Sequence, residues 1–287
     1  MLRVQFGTTE EVAGTLAGEG YLADRALATS VYLAAALEQP LLLEGEAGVG
    51  KTEVARALAH ARGARLIRLQ CHEGIDLHHA VYDWDYQRQL LAIRAAEAGA
   101  ESRELFGREF LLRRPLLEAL ESEADETVLL IDEVDRADDE FEAFLLEFLS
   151  DFQVTIPELG TVIANGRPLV VLTSNRTREL HDALKRRCLY HWIPFPGPER
   201  ERAILRAQAP GLDDAAAEAL VEAINRVRGE RLLKPPGIAE TIDWAQGAAV
   251  LAEEGAPWPE ALRRSLGLLL KEQEDVERAG AVLEAVR

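Results

Sequence analysis

The chain has 287 residues, 48% hydrophobic and 29% charged, so it can bury a substantial core, holds one or two domains, and is not a disordered chain. Its 50 Asp and Glu against 32 Lys and Arg leave a formal net charge of −18, which argues against generic nucleic-acid binding, since that relies on neutralising phosphates. No apolar run approaches the roughly 18 residues of a membrane span, and the start, MLRVQFGTTEEV, lacks the apolar stretch of a signal peptide, so a cytoplasmic protein is expected.

Thr8-x-x-Glu11 has the form of a capping box and opens a short helix that Gly18 and Gly20 end. Tyr21 to Glu38 is Ala- and Leu-rich and reads as a second helix. Near its start, Tyr21 and Leu22 are candidates either for packing against a purine ring or for ordinary core.

The stretch LLLEGEAGVGKTEVAR (41–56) carries the chemistry. An apolar run, Leu41 to Leu43, enters a loop with Gly45, Gly48 and Gly50, then Lys51 and Thr52, then a helical pattern. This is G-x-x-x-x-G-K-[ST] in its strand-loop-helix setting. Glycines allow the backbone to turn tightly, so that several N–H groups and the positive end of the next helix converge on a polyphosphate. Lys51 is expected to reach the β- and γ-phosphates, and the Thr52 hydroxyl to hold Mg²⁺.

Thr52 to Arg62 reads as a helix ended by Gly63, and ARLIRLQ (64–70) alternates like a strand, which begins a parallel α/β sheet. Cys71 to Asp85 is polar and reads as irregular. Its His72, His78 and His79 lack regular ligand spacing and read as loop histidines. Cys71 and Cys188 lie far apart with no C-x-x-C spacing and indicate neither a disulfide framework nor a zinc site. A helix is expected over Tyr86 to Ala98, then a break, then a helix opened by Pro115. The preceding Phe110, Leu111 and Leu112 fit an exposed substrate-contacting loop or a buried edge equally well.

Thr127 to Ile131 is a short apolar strand ending in Asp132 and Glu133, and the carboxyl ends of parallel strands are where open α/β sheets bind ligands. Asp132 suits support of Mg²⁺, and Glu133 suits polarising an attacking water as general base. Asp138 to Asp151 has Phe141, Phe144, Leu145, Phe148 and Leu149 at helical spacing, a core stripe. QVTIPELGTVIA (153–164) reads as a hairpin. Pro168 to Thr173 is another buried strand, ending at Ser174 and Asn175. The Asn175 amide is placed either to orient water or the γ-phosphate, or simply to form a turn.

Leu180 to Arg187 reads as a helix with Lys185, Arg186 and Arg187 at its end, where the dipole favours cations. Cys188 to Ile193 is the next strand. Pro194, Pro196 and Pro198 then mark a domain boundary, expected between 195 and 196. Beyond it the pattern is helical: Glu199 to Gln208, Asp213 to Arg228, Ala239 to Glu254, and Pro259 to Lys271 with a tail.

GEAGVGKT (45–52), VLLIDEVDR (128–136), VVLTSNRTRELHDALKRRC (170–188) and the helical C-terminal segment together resemble an AAA+ ATPase of the MoxR family, over roughly residues 20 to 270. QVTIPELG and KPPGIAETIDWA resemble its CoxD-like branch, named for ATPases that assist maturation of molybdenum-containing CO dehydrogenase. The resemblance implies an α/β fold: a P-loop NTPase αβα sandwich around a parallel sheet, with a C-terminal all-helical lid, assembling into a homo-oligomeric, hexameric ring. It implies that Gly45, Glu46, Ala47, Gly48, Val49, Gly50, Lys51, Thr52 and Glu53 bind ATP, that Thr52 and Asp132 serve Mg²⁺, that Glu133 is the Walker B glutamate, and that Asn175 is sensor 1. Arg187, with Arg186 as the alternative, would be the arginine finger reaching a neighbouring subunit's γ-phosphate. Residues 71 to 122 correspond to the helix-2 insert and 153 to 164 to the pre-sensor hairpin. A von Willebrand A domain protein and a client metalloenzyme are the implied partners. The lid's sensor 2 arginine has no counterpart: the helix start offers Ile238, Ala239 and Glu240, and the nearest cation is Lys234, before two prolines.

The reading is a chaperone-like motor hydrolysing ATP. Its rivals are a small-molecule phosphotransferase on the same loop, a nucleotide-gated scaffold that barely hydrolyses, and a DNA clamp loader, the last disfavoured by the acidic balance.

Overall fold

The computed structural model describes residues 6–97, 104–123, 126–209 and 214–284. In chain order its elements are α1 (Thr9–Gly18), α2 (Arg25–Leu37), β1 (Leu41–Glu44), α3 (Lys51–Ala61), β2 (Arg65–Gln70), α4 (Leu77–Ala80), β3 (Tyr82–Trp84), α5 (Tyr86–Glu97), β4 (Leu111–Arg113) and α6 (Pro115–Glu121). There follow β5 (Thr127–Asp132), α7 (Asp139–Asp151), β6 (Gln153–Ile156), β7 (Gly160–Ile163), β8 (Leu169–Ser174), α8 (Asp182–Lys185) and β9 (Leu189–Trp192). The last stretch is helical: α9 (Pro198–Gln208), α10 (Asp214–Arg228), α11 (Ile238–Glu253), α12 (Trp258–Arg264), α13 (Leu266–Leu269) and α14 (Gln273–Glu284). No described helix is long and apolar enough to cross a membrane.

Two compact units divide the chain. The first comprises the described residues up to Val12, Arg25–Glu44 and Ala55–Trp192; the second comprises Ala13–Asp24, Gly45–Val54 and the described residues from Ile193 onward.

The first unit is an α/β layer structure. LLLE, TVLLID and LVVLTS are buried throughout, the mark of strands covered on both faces, and they form the middle of a five-stranded parallel sheet of order β2-β5-β8-β1-β9. Helices pack against it, α2 on β1 and β9 and α6 on β2 and β5. The register sets Gln70 beside Asp132 and Glu44 beside Ser174, so the polar ends of these strands lie along one edge. Below that edge the core joins Leu42, Leu129, Ile131 and Leu172 to the α7 stripe Phe141, Leu145 and Phe148. The hairpin read over 153–164 is present as β6 and β7.

The second unit has a helical core of its own, in which Leu220, Ile224, Trp244, Ala248, Leu266 and Leu269 pack together. Trp244 is wholly buried, and its indole N–H donates to Leu262 O at 2.9 Å.

Four segments depart from the local pattern, three expected helices and one stretch read as irregular. The helix expected from Tyr21 starts at Arg25, since Tyr21 N donates back to Leu16 O (2.9 Å) and Leu22 O accepts from Arg200 (2.8 Å). Cys71–Asp85 is not irregular: Asp76 caps α4, and β3 pairs antiparallel with β4. That pairing settles the apolar run at 110–112 as a strand edge, with Phe110 and Leu111 buried and Leu112 exposed. The helix expected over Leu180 to Arg187 shrinks to Asp182–Lys185, because Leu180 enters the core and His181 N is held by Glu142 at 2.6 Å. The helix expected over Pro259 to Lys271 breaks at Ser265, whose hydroxyl bonds back to Ala261 O at 2.7 Å. Ala98 and Asp213, the expected ends of two helices, lie outside the described residues, as do the first five residues of the N-terminal reading.

Candidate functional site: a phosphate loop with a side cavity, and an acidic strand end

In the second unit the loop from Gly45 to Lys51 curls over its own lysine. Lys51 is buried, and its Nζ donates to Gly45 O (2.9 Å) and Glu46 O (2.6 Å). Gly48 has φ +75°, a left-handed conformation that glycine adopts without strain. Thr52 is half-buried and Glu53 exposed in the first turn of α3.

Beside the loop opens a cavity of about 310 Å³. Leu22, Val49, Ile193, Ile204 and Ile242 give it apolar walls, and Arg200, Gln208 and Asp243 supply polar groups. Tyr21 is therefore a wall residue rather than plain core: its ring lies against Gly50, where an added Cβ would be 3.6 Å away, and burial raises its phenol pKa. Arg200 holds the other wall in place through Asp24 (2.7 Å) and Leu22 O. A cavity of this volume, apolar with a few polar groups and opening beside clustered backbone amides, fits a nucleoside attached to a polyphosphate.

In the first unit, Asp132 and Glu133 end β5 as expected. Asp132 is 1% exposed and both its oxygens are engaged: Oδ1 accepts from the Thr173 hydroxyl (2.5 Å) and Oδ2 from Arg68 Nε and Nη2 (2.9 and 2.5 Å). Thr173 also accepts from Glu133 N at 2.9 Å, so a single hydroxyl ties the two acidic residues to β8.

Glu133 itself has φ +54°, an uncommon conformation for a residue with a side chain and one that marks functional turns. Its carboxylate gathers three donors: Asn175 Nδ2 (3.4 Å) on Oε1, with Gln70 Nε2 and Arg136 Nη1 (each 3.1 Å) on Oε2. The structure thus joins two residues that the sequence singled out separately, Glu133 and Asn175. Arg68 also donates to Gln70 Oε1, which leaves the Gln70 amide nitrogen aimed at Glu133.

Arg68, Gln70 and Thr173 were not visible as site residues in the sequence. The available signal is the spacing of Arg68 and Gln70 on one face of β2 at its carboxyl end, but it acquires meaning only with the β2–β5 register.

Arg186 and Arg187 are exposed just after α8. Arg187 is directed to the end of α7, its Nε donating to Ser150 Oγ at 2.6 Å and its Nη1 to Ala183 O at 3.1 Å. The cysteines are unreactive thiols: burial, reinforced by Asp132, Asp135 and Glu133, pushes Cys71 up to about 12, and burial does the same to Cys188. His79 is engaged with Asp76 (2.6 Å). Elsewhere Asp139, Glu142 and His181 approach one another, but Arg178 stands among them, bonded to Glu142 (2.8 Å) and paired with Asp139 (3.4 Å), so a guanidinium already serves both carboxylates.

A search of curated proteins finds no match to the chain. The family model of the AAA domain, dynein-related subfamily, matches residues 40–188, just over half of the chain, from the residue before β1 to the residue before β9. With this match, the buried phosphate-loop lysine and the paired acids at the end of a parallel strand, the chain belongs to the AAA family as a nucleotide-dependent AAA+ ATPase of the dynein-related subfamily.

Proposed function

We propose that the protein is an ATP-hydrolysing motor of the MoxR type, in the CoxD-like branch, working as a homo-oligomeric ring. The observation that supports this most is Glu133: a strained backbone presents its carboxylate to Asn175 and Gln70, next to a buried Asp132. Two amides and the Arg136 guanidinium fix the direction of this carboxylate, which suits it to orient water attacking the γ-phosphate and to draw a proton from it. Gly45 to Glu53 bind the nucleotide, with Lys51 turning from the loop carbonyls to the phosphates, and Asn175 fixes the direction of attack.

Hydroxyl and carboxylate oxygens are the donor set Mg²⁺ prefers, so Thr52 and Asp132 are the residues that would hold it. When bound it supplies charge neutralisation on the phosphates. Arg68 competes for the same Asp132 oxygen. Arg68→Gln is therefore expected to lower the half-saturating Mg²⁺ concentration by about two- to fivefold, the scale of a partly exposed ion pair. Fluorescence of a bound nucleotide analogue during a Mg²⁺ titration reads this directly; an unchanged midpoint would remove Arg68 from the account.

The nucleotide-binding domain is assigned to 1–195 and the lid to 196–287. The partners implied are a von Willebrand A domain protein and a client metalloenzyme, the work is remodelling or cofactor insertion, and the compartment is the cytoplasm. These assignments rest on the family likeness.

Arg187 is the finger in this reading, with Arg186 as the alternative. Steady-state ATPase activity measured against protein concentration, with size determined at each point, is the deciding experiment. Cooperative activity that Arg187→Ala lowers about 10³-fold or more, with ATP still bound, is the expected result. Activity proportional to monomer and indifferent to both arginines would return a phosphotransferase to first place.

A further inference from the structure

Within the second unit, the N-terminus of α11 is pressed onto the phosphate loop. A Cβ added to Gly237 would lie 2.8 Å from both Gly48 Cα and Gly48 C and 2.9 Å from Ala47 O, so two glycine backbones meet with no room for a side chain. Ala239 N donates to Gly48 O at 3.2 Å, joining the helix to the loop by its main chain.

Into the same spot comes a charge. A Cβ added to Gly48 would lie 2.5 Å from Glu240 Oε2, so that carboxylate fills the space a side chain at position 48 would take. It does not swing freely, because Oε2 accepts from the Gly237 N–H at 3.1 Å at the start of α11. Glu240 also offsets the favourable positive potential that a helix N-terminus would otherwise offer an anion. Two arginines of this unit are engaged elsewhere: Arg200 is paired with Asp24, and Arg228, which donates to Pro236 O, is paired with Glu201 at 2.9 Å.

We propose that Glu240 sets the nucleotide preference of this site by charge: held against Gly48, its carboxylate disfavours a bound nucleotide in proportion to the negative charge on its phosphates. This rests on the reading of Gly45 to Glu53 as the nucleotide-binding loop. A fixed anion beside the loop weakens ATP more than ADP and leaves adenosine untouched, so the two nucleotides are held more evenly than the loop alone would hold them. Product ADP is loosened as well, to a lesser degree, and exchange would depend on the docking of α11. Mg²⁺, by neutralising part of the phosphate charge, reduces the discrimination.

Glu240→Gln tests this, since glutamine keeps the length and, through its amide oxygen, the bond from the Gly237 N–H while removing the charge. Binding of ATP, ADP and adenosine to the parent and to Glu240→Gln is measured by calorimetry, without and with Mg²⁺. The expected result is ATP tightened about tenfold without Mg²⁺, ADP tightened less and adenosine unchanged, with the gain shrinking at high salt. Unchanged ATP affinity, or an equal gain for adenosine, overturns the proposal. A parent that binds adenosine but neither ATP nor ADP would instead sink the ATPase reading itself, whatever the variant does.

Discussion

Glu133→Gln is expected to reduce ATP turnover by about 10² to 10⁴-fold, the usual contribution of a positioned general base, while ATP affinity changes by about threefold at most. The substitution conserves shape, and one amide oxygen can still accept from the donors that surround Glu133. What it removes is the capacity to take a proton. It also presents a second donor to Asn175 or Gln70, which already donate there, so a modest loss of stability accompanies the kinetic effect. Turnover and equilibrium binding of a nucleotide analogue, measured on the same preparation, separate the two effects. Turnover within about threefold of the parent would strip Glu133 of its role and favour the slowly hydrolysing scaffold.

The largest effect on stability is expected at Trp244. Its side chain is wholly buried within the helical core and its indole bonds to Leu262 O, so Trp244→Ala opens a cavity and leaves that carbonyl only the longer bond from the Ser265 hydroxyl (3.3 Å). A cost of about 3–5 kcal/mol is expected. Trp244→Phe retains most of the volume and should cost about 1–3 kcal/mol, largely for the lost indole hydrogen bond. Urea unfolding read by circular dichroism checks both, and a loss below about 1 kcal/mol for the alanine variant would contradict the packing of α11 against α12 and α13.

The legible parts of this protein were those whose meaning is local. The phosphate loop is a contiguous motif, and the β5 strand announces itself by six residues, TVLLID, that pass from apolar to acidic. The α7 stripe repeats at helical spacing and folds as read. What stayed hidden depends on pairing at a distance. The strands β3 and β4 are three residues each and too short for any period to show, and they exist because they pair across an intervening helix. Arg68 reads as an ordinary exposed strand residue until β5 is laid beside β2, whereupon it becomes the main partner of Asp132. Helix ends failed for a related reason: Leu22 O and His181 N have good helical sequence around them, but an arginine and a glutamate from elsewhere claim them first. Glu240 is in the sequence only one of three residues at a helix start, and its position against Gly48 follows only from the docking of α11.

The sheet order has a consequence for how the chain comes into being. Strand β1, which leads into the phosphate loop, has β8 on one side and β9 on the other, and its Glu44 meets Ser174, 130 residues later in the chain. On the ribosome, where N-terminal segments emerge first, β1 has neither neighbour until β8 is made, Ser174 following Glu44 by 130 residues. Three consecutive leucines with open edges must wait through that interval, which makes this segment the natural target of a holding chaperone. A chain stopped before β8 would carry the complete loop motif while β1 still lacked both of its strand partners.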